Sequence, residues 1–281
     1  MGQHRITVQQ IAAFESCLKR EERSAGTIEN YLRRVREFTA WLNGEEVDKE
    51  RAGAWKLHLM SMGRSSGTVN GALVAVNQFF KFLGWQECVV KGLRIQRKLF
   101  RDDRRELTRN EYERLLAAAH GLGRERLALL METICATGIR VSEVRYITVE
   151  AVASGRAEIS LKGKLRTILI PGKLCRKLKK YVKQQKIASG EIFLTRSGKG
   201  MSRKQIWAEM KAVCRKAEVV PSKVFPHNLR HLFARIFYQV CRDVVKLADV
   251  LGHSSIETTR IYLISTGAEH ARQLDRLGLV E

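Results

Sequence analysis

The stretch LGHSSIETTRIYL, residues Leu251–Leu263, decides how the rest of the chain is interpreted. It places a phenol, Tyr262, nine residues after His253, with a glycine turn and a run of serine and threonine between them. Two stretches upstream add to it: ATGIRVSEV at Ala136–Val144 and FPHNLRHLFARIF at Phe225–Phe237. From these three stretches we single out two arginines (Arg140 and Arg230), two histidines (His227 and His253) and the phenol of Tyr262.

This set of side chains suits attack on a phosphodiester. A phenol with a reference pKa of about 10 is protonated at neutral pH, and the pentavalent phosphorus that its attack creates carries extra negative charge. The guanidiniums of Arg140 and Arg230 are always charged and can fork onto the non-bridging oxygens. His227 precedes Arg230 by three residues on a predicted helix, so both side chains face the same way and could serve one phosphate.

On these residues the chain resembles a tyrosine recombinase of the phage integrase and Xer type, most closely over its C-terminal two-thirds. The family's first arginine lies in a T-G-x-R-x-S-E segment, which Thr137–Glu143 matches. His227 and Arg230 match its H-x-x-R box, and Leu251–His253 match its L-G-H segment. Tyr262, in T-T-R-I-Y, matches the nucleophile, and all the segments follow the family's order.

The resemblance implies a mainly α-helical fold with a small β-hairpin, an α+β class. An N-terminal four-helix SAM-like core-binding domain would precede a C-terminal catalytic domain. The implied activity is site-specific DNA recombination through a 3′-phosphotyrosyl intermediate, with no metal, ATP or other cofactor. The implied catalytic residues are Tyr262, Arg140, Arg230, His227, His253 and a hairpin lysine, with Glu143 orienting Arg140.

The lysine is where the sequence departs from the family. Members carry G-K-G-x-K-x-R before V-P or I-P, and the lysine protonates the leaving 5′ oxygen. The corresponding segment here, LKGKLRTILIP at Leu161–Pro171, is one residue short in the turn. Counting from the Lys-Gly pair favours Lys162, whereas a shorter turn would present Lys164 instead.

The charge of the chain favours a nucleic-acid partner. Its 281 residues carry a net charge of +22 with a pI near 10.1, which points to a polyanion such as double-stranded DNA. The six cysteines are widely spaced without metal-ligand patterns, so we interpret them as reduced core residues. The sequence shows neither an apolar signal segment nor a run of apolar residues long enough to span a bilayer. We therefore expect a bacterial protein that is cytoplasmic and associated with the nucleoid.

Periodicity and composition predict the domain boundaries. Residues 1–92 form the predicted N-terminal DNA-binding domain, with helices over 7–22, 27–42, 48–62 and 68–83. Residues 93–105 form a basic linker, and residues 106–281 form the catalytic domain. In that domain we predict a hairpin near 157–170, a third strand at 192–194, basic helices at 174–187 and 202–218, and a tail helix at 266–281.

Several assignments stay open on sequence alone. The loops Arg23–Thr27 and Arg64–Thr68 suit phosphate contacts and serve equally well as helix N-caps. The lysines of the basic helices could follow phosphates or face water. His231 is interpreted as structural, because it follows Arg230 directly and is expected to face elsewhere on the helix. The tail could dock on a neighbouring protomer in a tetramer, as the resemblance implies, or pack in cis.

Two rival functions are compatible with parts of the pattern. A type IB topoisomerase uses a similar set of residues but relaxes supercoils as a monomer. A non-catalytic DNA-binding protein on the same scaffold would bind without a covalent step.

Overall fold

The computed structural model describes residues 4–95, 105–161, 164–253, 255–260, 262, 271–272 and 274–278. The chain divides into two compact units, residues 1–97 and 98–281. Most of the linker predicted at 93–105 lies outside the described residues. The described part is mostly helical with one two-stranded antiparallel sheet, which confirms the predicted fold class. None of the helices in these ranges combines the length and apolarity needed to cross a membrane.

The first unit consists of four helices whose starts are fixed by side-chain caps. The hydroxyls of Ser24 and Ser65 accept hydrogen bonds from the backbone N–H groups of Thr27 (3.4 Å) and Thr68 (3.3 Å). These two helices therefore begin two residues before the threonines at which the sequence predicts their starts. The helices are α1 (Val8–Arg20), α2 (Ala25–Leu42), α3 (Lys49–Ser61) and α4 (Ser66–Leu83), followed by a short 3-10 turn at Gln86–Cys88.

Aromatic side chains fill the core of this unit. Phe38 on α2 lies 5.0 Å from the ring of Trp55 on α3 and 5.7 Å from Phe80 on α4. Phe14 on α1 lies 5.2 Å from Phe79. All five rings are almost fully buried, and burying an aromatic ring typically removes about 150–250 Å² of surface from water. These contacts join α1 and α2 to the central helix α4, and they join α3 to α2.

The cysteines have varied surroundings. Cys88, Cys175 and Cys214 are buried, as the core interpretation predicted, whereas Cys241 is exposed. Burial raises the pKa of Cys88 to about 11, with smaller contributions from nearby carboxylates. Its sulfur also lies within 4.8 Å of ligand atoms of His4 and Glu87, a proximity that the spacing along the chain did not predict.

The second unit surrounds a larger apolar core with helices and one β-hairpin. Buried leucine, isoleucine, valine and alanine side chains from most of these elements meet in that core. The elements are α5 (Arg109–Gly121), α6 (Glu125–Thr137), α7 (Val149–Ser154), β1 (Arg156–Leu161), β2 (Lys164–Leu169), α8 (Gly172–Gln184), α9 (Arg203–Ala212), α10 (Cys214–Ala217), α11 (Pro226–Cys241), α12 (Val244–Leu251) and α13 (Ile256–Arg260).

Two predicted elements of this unit are wrong. The segment 192–194 is not a strand, because it and its neighbours make only isolated bridges, Thr148 with Glu191 and Leu194 with Gly200. Ile192 and Phe193 are nevertheless buried, so the apolar run that suggested a strand is core packing in an irregular segment. The single helix predicted at 202–218 is interrupted at Val213, which separates α9 from α10.

Gly138 ends α6 in a conformation and a space that only glycine fits. Its φ is +66°, and a Cβ there would lie 2.5 Å from Cδ1 of Phe233 on α11. Gly155, after α7, has a similar φ of +74° but nothing within 4 Å of its would-be Cβ. The tight approach of α6 to α11 at Gly138 therefore depends on the missing side chain.

We expect Gly138→Ala to destabilise the second unit by about 3 kcal/mol, because left-handed strain and overpacking against Phe233 add together. Gly155→Ala, the matched control, carries only the conformational cost of about 1 kcal/mol. Urea denaturation of both variants measures the difference. Equal losses for the two variants would show that Phe233 moves aside without cost and would contradict the packing argument.

Candidate functional site

Four segments of the second unit bring the predicted site residues together. Arg140 follows the end of α6 and precedes a 3-10 turn at Val141–Tyr146, while Arg230 lies on α11. His253 follows the glycine that ends α12, and Tyr262 follows α13. These segments converge because α11 packs against both α6 and α12, and α12 packs against α13.

Arg140 is held by Glu143, the predicted partner. The carboxylate accepts from the Arg140 backbone N–H at 2.7 Å and from Nη1 at 2.9 Å, and it is only 2% exposed. The Arg140 side chain remains 40% exposed, and its Nη2 donates to the Gly252 carbonyl at 3.3 Å. One edge of this guanidinium is thus fixed by protein while part of it faces solvent.

Arg230 is almost completely buried, at 1% exposure. Its guanidinium donates to the carbonyls of Gly138 and Leu251 (2.8 Å for the latter) and to Nε2 of His253 (2.9 Å). A side-chain hydrogen bond also joins it to Tyr262. Burial lowers the pKa of Arg230, and the charge of Arg140 lowers it further. A buried guanidinium held mainly by neutral groups is well suited to an anionic ligand.

His253 lies between Arg230 and Thr259. Because arginine only donates, Nε2 of His253 accepts from Arg230, and the proton on Nδ1 is donated to Oγ1 of Thr259 at 2.8 Å. Burial lowers the pKa of His253 to about 4, with further lowering by Arg230, Arg140 and Arg166. The ring is therefore neutral at physiological pH. Thr259, fully buried, is a supporting residue that the sequence did not single out.

Tyr262 is 4% exposed and surrounded by histidines. The ring of His253 stacks on it with centroids 5.7 Å apart, and His231 meets it edge-on at 4.5 Å. His227 is farther away, 6.3 Å from the tyrosine ring and 4.6 Å from His231. Partial desolvation lowers the pKa of His227, and the charges of Arg230 and Arg140 add to this effect.

The prediction that His231 faces away from the site is wrong. His227 and His231 are four residues apart on α11, so they share a helix face, and His231 packs against both His227 and Tyr262. The i, i+4 spacing is present in the sequence and is the signal that identifies this residue.

Arg166 is a third arginine at the site that the sequence did not single out. It lies on β2, where Nη2 donates to the Glu143 carboxylate at 2.9 Å and Nη1 donates to the Leu251 carbonyl. Arg140, Arg166 and Arg230 therefore surround one buried carboxylate in the part of the chain that the structure describes. The excess of positive charge favours an anion at this place.

Of the two candidates for the hairpin lysine, the structure describes only Lys164. The register pairs Leu161 with Lys164, so Lys164 is the first residue of β2. Lys162 itself lies outside the described residues. The choice between Lys162 and Lys164 stays a prediction.

The lowered pKa of His253 predicts an acid-sensitive fold. The folded-state pKa is about 4, against about 6.5 in an unfolded chain, so neither state is protonated well above pH 6.5. As the pH falls from about 6.5 to about 4, the unfolded chain binds the proton first and stability is lost. After allowance for solvent screening at this half-buried ring, His253→Gln should remove about 1 kcal/mol of that loss.

The measurement is urea denaturation at pH 7.5 and pH 4.5. His120→Gln, an exposed histidine on α5, serves as the control and should keep the wild-type dependence. A pH dependence of stability that is identical in wild type and His253→Gln would contradict the burial of a neutral His253.

Comparison with known families gives two matches. The phage integrase family matches residues 105–269, and the phage integrase N-terminal SAM-like domain matches residues 11–87. Tyrosine recombinase XerC of Roseiflexus castenholzii is 31% identical over 278 residues, covering 90% of this chain and 88% of that protein. Tyrosine recombinase XerA of Thermococcus kodakarensis is 29% identical over 272 residues, covering 94% and 93%.

Solved structures share the fold at low sequence identity. The Tn1549 transposon integrase in complex with transposon right end DNA superimposes with a TM-score of 0.73 at 18% identity, covering 96% of this chain and 98% of that one. The XerH site-specific recombinase bound to its difH substrate gives 0.69 at 19% identity, covering 95% and 84%.

The chain belongs to the phage integrase family. Within that family it is a site-specific recombinase of the tyrosine type, an enzyme, as the sequence predicted.

Proposed function

We propose that the enzyme cuts and rejoins double-stranded DNA by using Tyr262 as the nucleophile. The observation that carries this proposal is Arg230, a 1% exposed guanidinium that contacts carbonyls, His253 and Tyr262. A scissile phosphate at this guanidinium would supply the anion that the buried charge favours. The phosphate would then lie beside the phenol that attacks it.

In the proposed reaction the phenol oxygen of Tyr262 attacks phosphorus and the bond from phosphorus to the 5′ oxygen breaks. The phenol proton passes to His227, whose lowered pKa keeps it neutral and able to accept, and the hairpin lysine protonates the leaving oxygen. Arg140, Arg230 and His253 bind the non-bridging oxygens, and Glu143 orients Arg140. For this lysine we propose Lys162 over Lys164, because Lys162 is the match when the motif is counted from the Lys-Gly pair.

The covalent intermediate is a 3′-phosphotyrosine, and a free 5′ hydroxyl of another strand reverses the attack. One phosphodiester is exchanged for one phosphotyrosine, so the bond energy is retained and the chemistry requires neither ATP nor a metal ion. The exposed face of α8 supports DNA binding by this unit. Six of its basic side chains face solvent: Lys173, Arg176, Lys177, Lys179, Lys180 and Lys183.

We propose that recombination takes place in a tetramer on DNA. Among the solved structures with this fold is a lambda integrase tetramer bound to a Holliday junction. In the tail of this chain, Leu274 and Leu277 are 54% and 58% exposed, so they are available to a neighbouring protomer. A bacterial cytoplasm, at the nucleoid, is the compartment that such a substrate implies.

Covalent trapping tests the proposed function. The protein is incubated with a nicked duplex that carries its binding site, in EDTA and without nucleotide, and an SDS-resistant protein–DNA band is expected. Digestion and mass spectrometry should place the nucleotide on the peptide that contains Tyr262. Specific binding to the same duplex without any band would contradict the catalytic proposal, and relaxation of supercoiled DNA that lacks the site would favour a topoisomerase.

A further inference from the structure

Arg166 connects two parts of the site that are distant in sequence. From β2 its side chain, 13% exposed, reaches both Glu143 and the carbonyl of Leu251 at the end of α12. The backbone of the next residue, Gly252, has a φ of +62°. A Cβ at Gly252 would overlap Cδ and Nη1 of Arg166, so this loop and this guanidinium fit together only because residue 252 is glycine.

Both acceptors of Arg166 are shared with the other arginines. Glu143 accepts from Arg140 as well as from Arg166. The Leu251 carbonyl accepts from Arg230 as well as from Arg166. Arg166 is thus a direct link between the carboxylate that holds Arg140 and the loop that carries His253.

The orientation of His253 depends on this loop. The backbone N–H of His253 donates to the Ala248 carbonyl at 3.0 Å, and that of Gly252 donates to the Asp249 carbonyl at 3.0 Å. The His253 ring then meets Arg230 at 2.9 Å. A displacement of the Leu251 carbonyl would therefore move the imidazole relative to Arg230.

Only a guanidinium suits the position of Arg166. Its planar fork donates in two directions at once, to a carboxylate and to a carbonyl, whereas an ammonium is a point charge on a flexible stem. Burial lowers the pKa of Arg166 to about 10, and Glu143 opposes the shift, so the group stays charged at neutral pH. Charge and shape together hold the two acceptors at a fixed separation.

We propose that Arg166 is a positioning residue that holds the Leu251–His253 segment against the Arg140–Glu143 pair. It would thereby fix the position of His253 relative to Arg140 on the two sides of the phosphate site. The inference rests on the proposed function of the site. Although Arg166 lies two residues after Lys164 on the hairpin, its contacts are with the groups that form the phosphate site. Its loss should impair activation of the phosphate and leave protonation of the 5′ oxygen intact.

A leaving-group substitution separates these two effects. A 5′-bridging phosphorothiolate has a thiolate leaving group, which departs without protonation because a thiol is far more acidic than an alcohol. On the ordinary nicked duplex, Arg166→Met should form the covalent adduct about 100-fold more slowly than wild type. On the phosphorothiolate that deficit should persist, whereas a deficit in Lys162→Ala should largely disappear.

The variants need controls for folding and binding. Arg156→Met, an exposed arginine on β1 of the same hairpin, should cleave within about twofold of wild type. Arg166→Met should bind the duplex specifically with an affinity within about threefold of wild type. Arg166→Lys should recover little of the lost rate, because lysine cannot bridge both acceptors. Rescue of Arg166→Met by the phosphorothiolate, or a wild-type rate on the ordinary duplex, would overturn the proposal.

Hydrogen exchange tests the positioning without any cleavage. In Arg166→Met, amides of the peptide 248–253 should exchange about tenfold faster than in wild type, while α5 and the Arg156→Met control keep their protection. Unchanged protection of this peptide would overturn the role of Arg166 whatever the enzyme does to DNA. A wild-type protein that forms no adduct on either substrate would instead contradict the proposed function.

Discussion

Replacing Tyr262 with phenylalanine is expected to abolish the covalent protein–DNA adduct, with a loss in cleavage rate of about 10⁴-fold or more. The variant lacks the oxygen that forms the bond to phosphorus. His227, His231 and His253 surround the ring, but none of them forms a bond to phosphorus in the proposed reaction. The measurement is single-turnover adduct formation on a nicked duplex.

The fold should tolerate this change. The tyrosine ring is buried against His231 and His253, and phenylalanine keeps those contacts while losing only the hydroxyl and its hydrogen bond with Arg230. We expect the free energy of unfolding to change by about 1 kcal/mol and specific DNA affinity to stay within about twofold. Tyr238→Phe, on α11 in the same apolar cluster, is the matched control and should cleave normally. An adduct formed by Tyr262→Phe at the wild-type rate would show that another residue is the nucleophile.

The sequence predicted the helices well because their ends carry local signals. Thr108 and Glu111 form a capping box at the start of α5, and Gly252 ends α12 in the left-handed conformation that glycine favours. The convergence of Arg140, Arg230, His253 and Tyr262 was also predicted, but from resemblance to a family rather than from periodicity. No local rule places α6 beside α11, since that contact depends on packing at Gly138.

What the sequence missed are contacts between elements far apart along the chain. Arg166 and Leu251 are 85 residues apart, and an arginine on a short strand is ordinarily a solvated side chain. The buried run at 192–194 illustrates the opposite error, because apolar residues indicate burial without specifying a strand. His231 is a different kind of miss, since its helical spacing from His227 is visible in the sequence itself.

Arg230→Lys is expected to reduce cleavage by about 10³-fold, because the buried guanidinium is proposed to bind the phosphate as charge develops on it. Lysine keeps a positive charge but cannot donate at once to the carbonyls of Gly138 and Leu251 and to a ligand. Because Arg230 is 1% exposed, an altered fold would also contribute to the loss. Arg140→Lys separates the two causes, since the Arg140 side chain is 40% exposed and its replacement leaves the core intact.

Single-turnover cleavage and urea denaturation should therefore be measured on both variants. We expect both to cleave far more slowly than wild type, with only Arg230→Lys losing stability, by about 2 kcal/mol, as buried acceptors lose their donor. Arg235→Lys, farther along α11 and paired with Glu106, is the control and should cleave within about twofold of wild type. If Arg140→Lys and Arg230→Lys both cleave normally, the cluster of arginines is structural, and the phosphate must bind elsewhere on the enzyme.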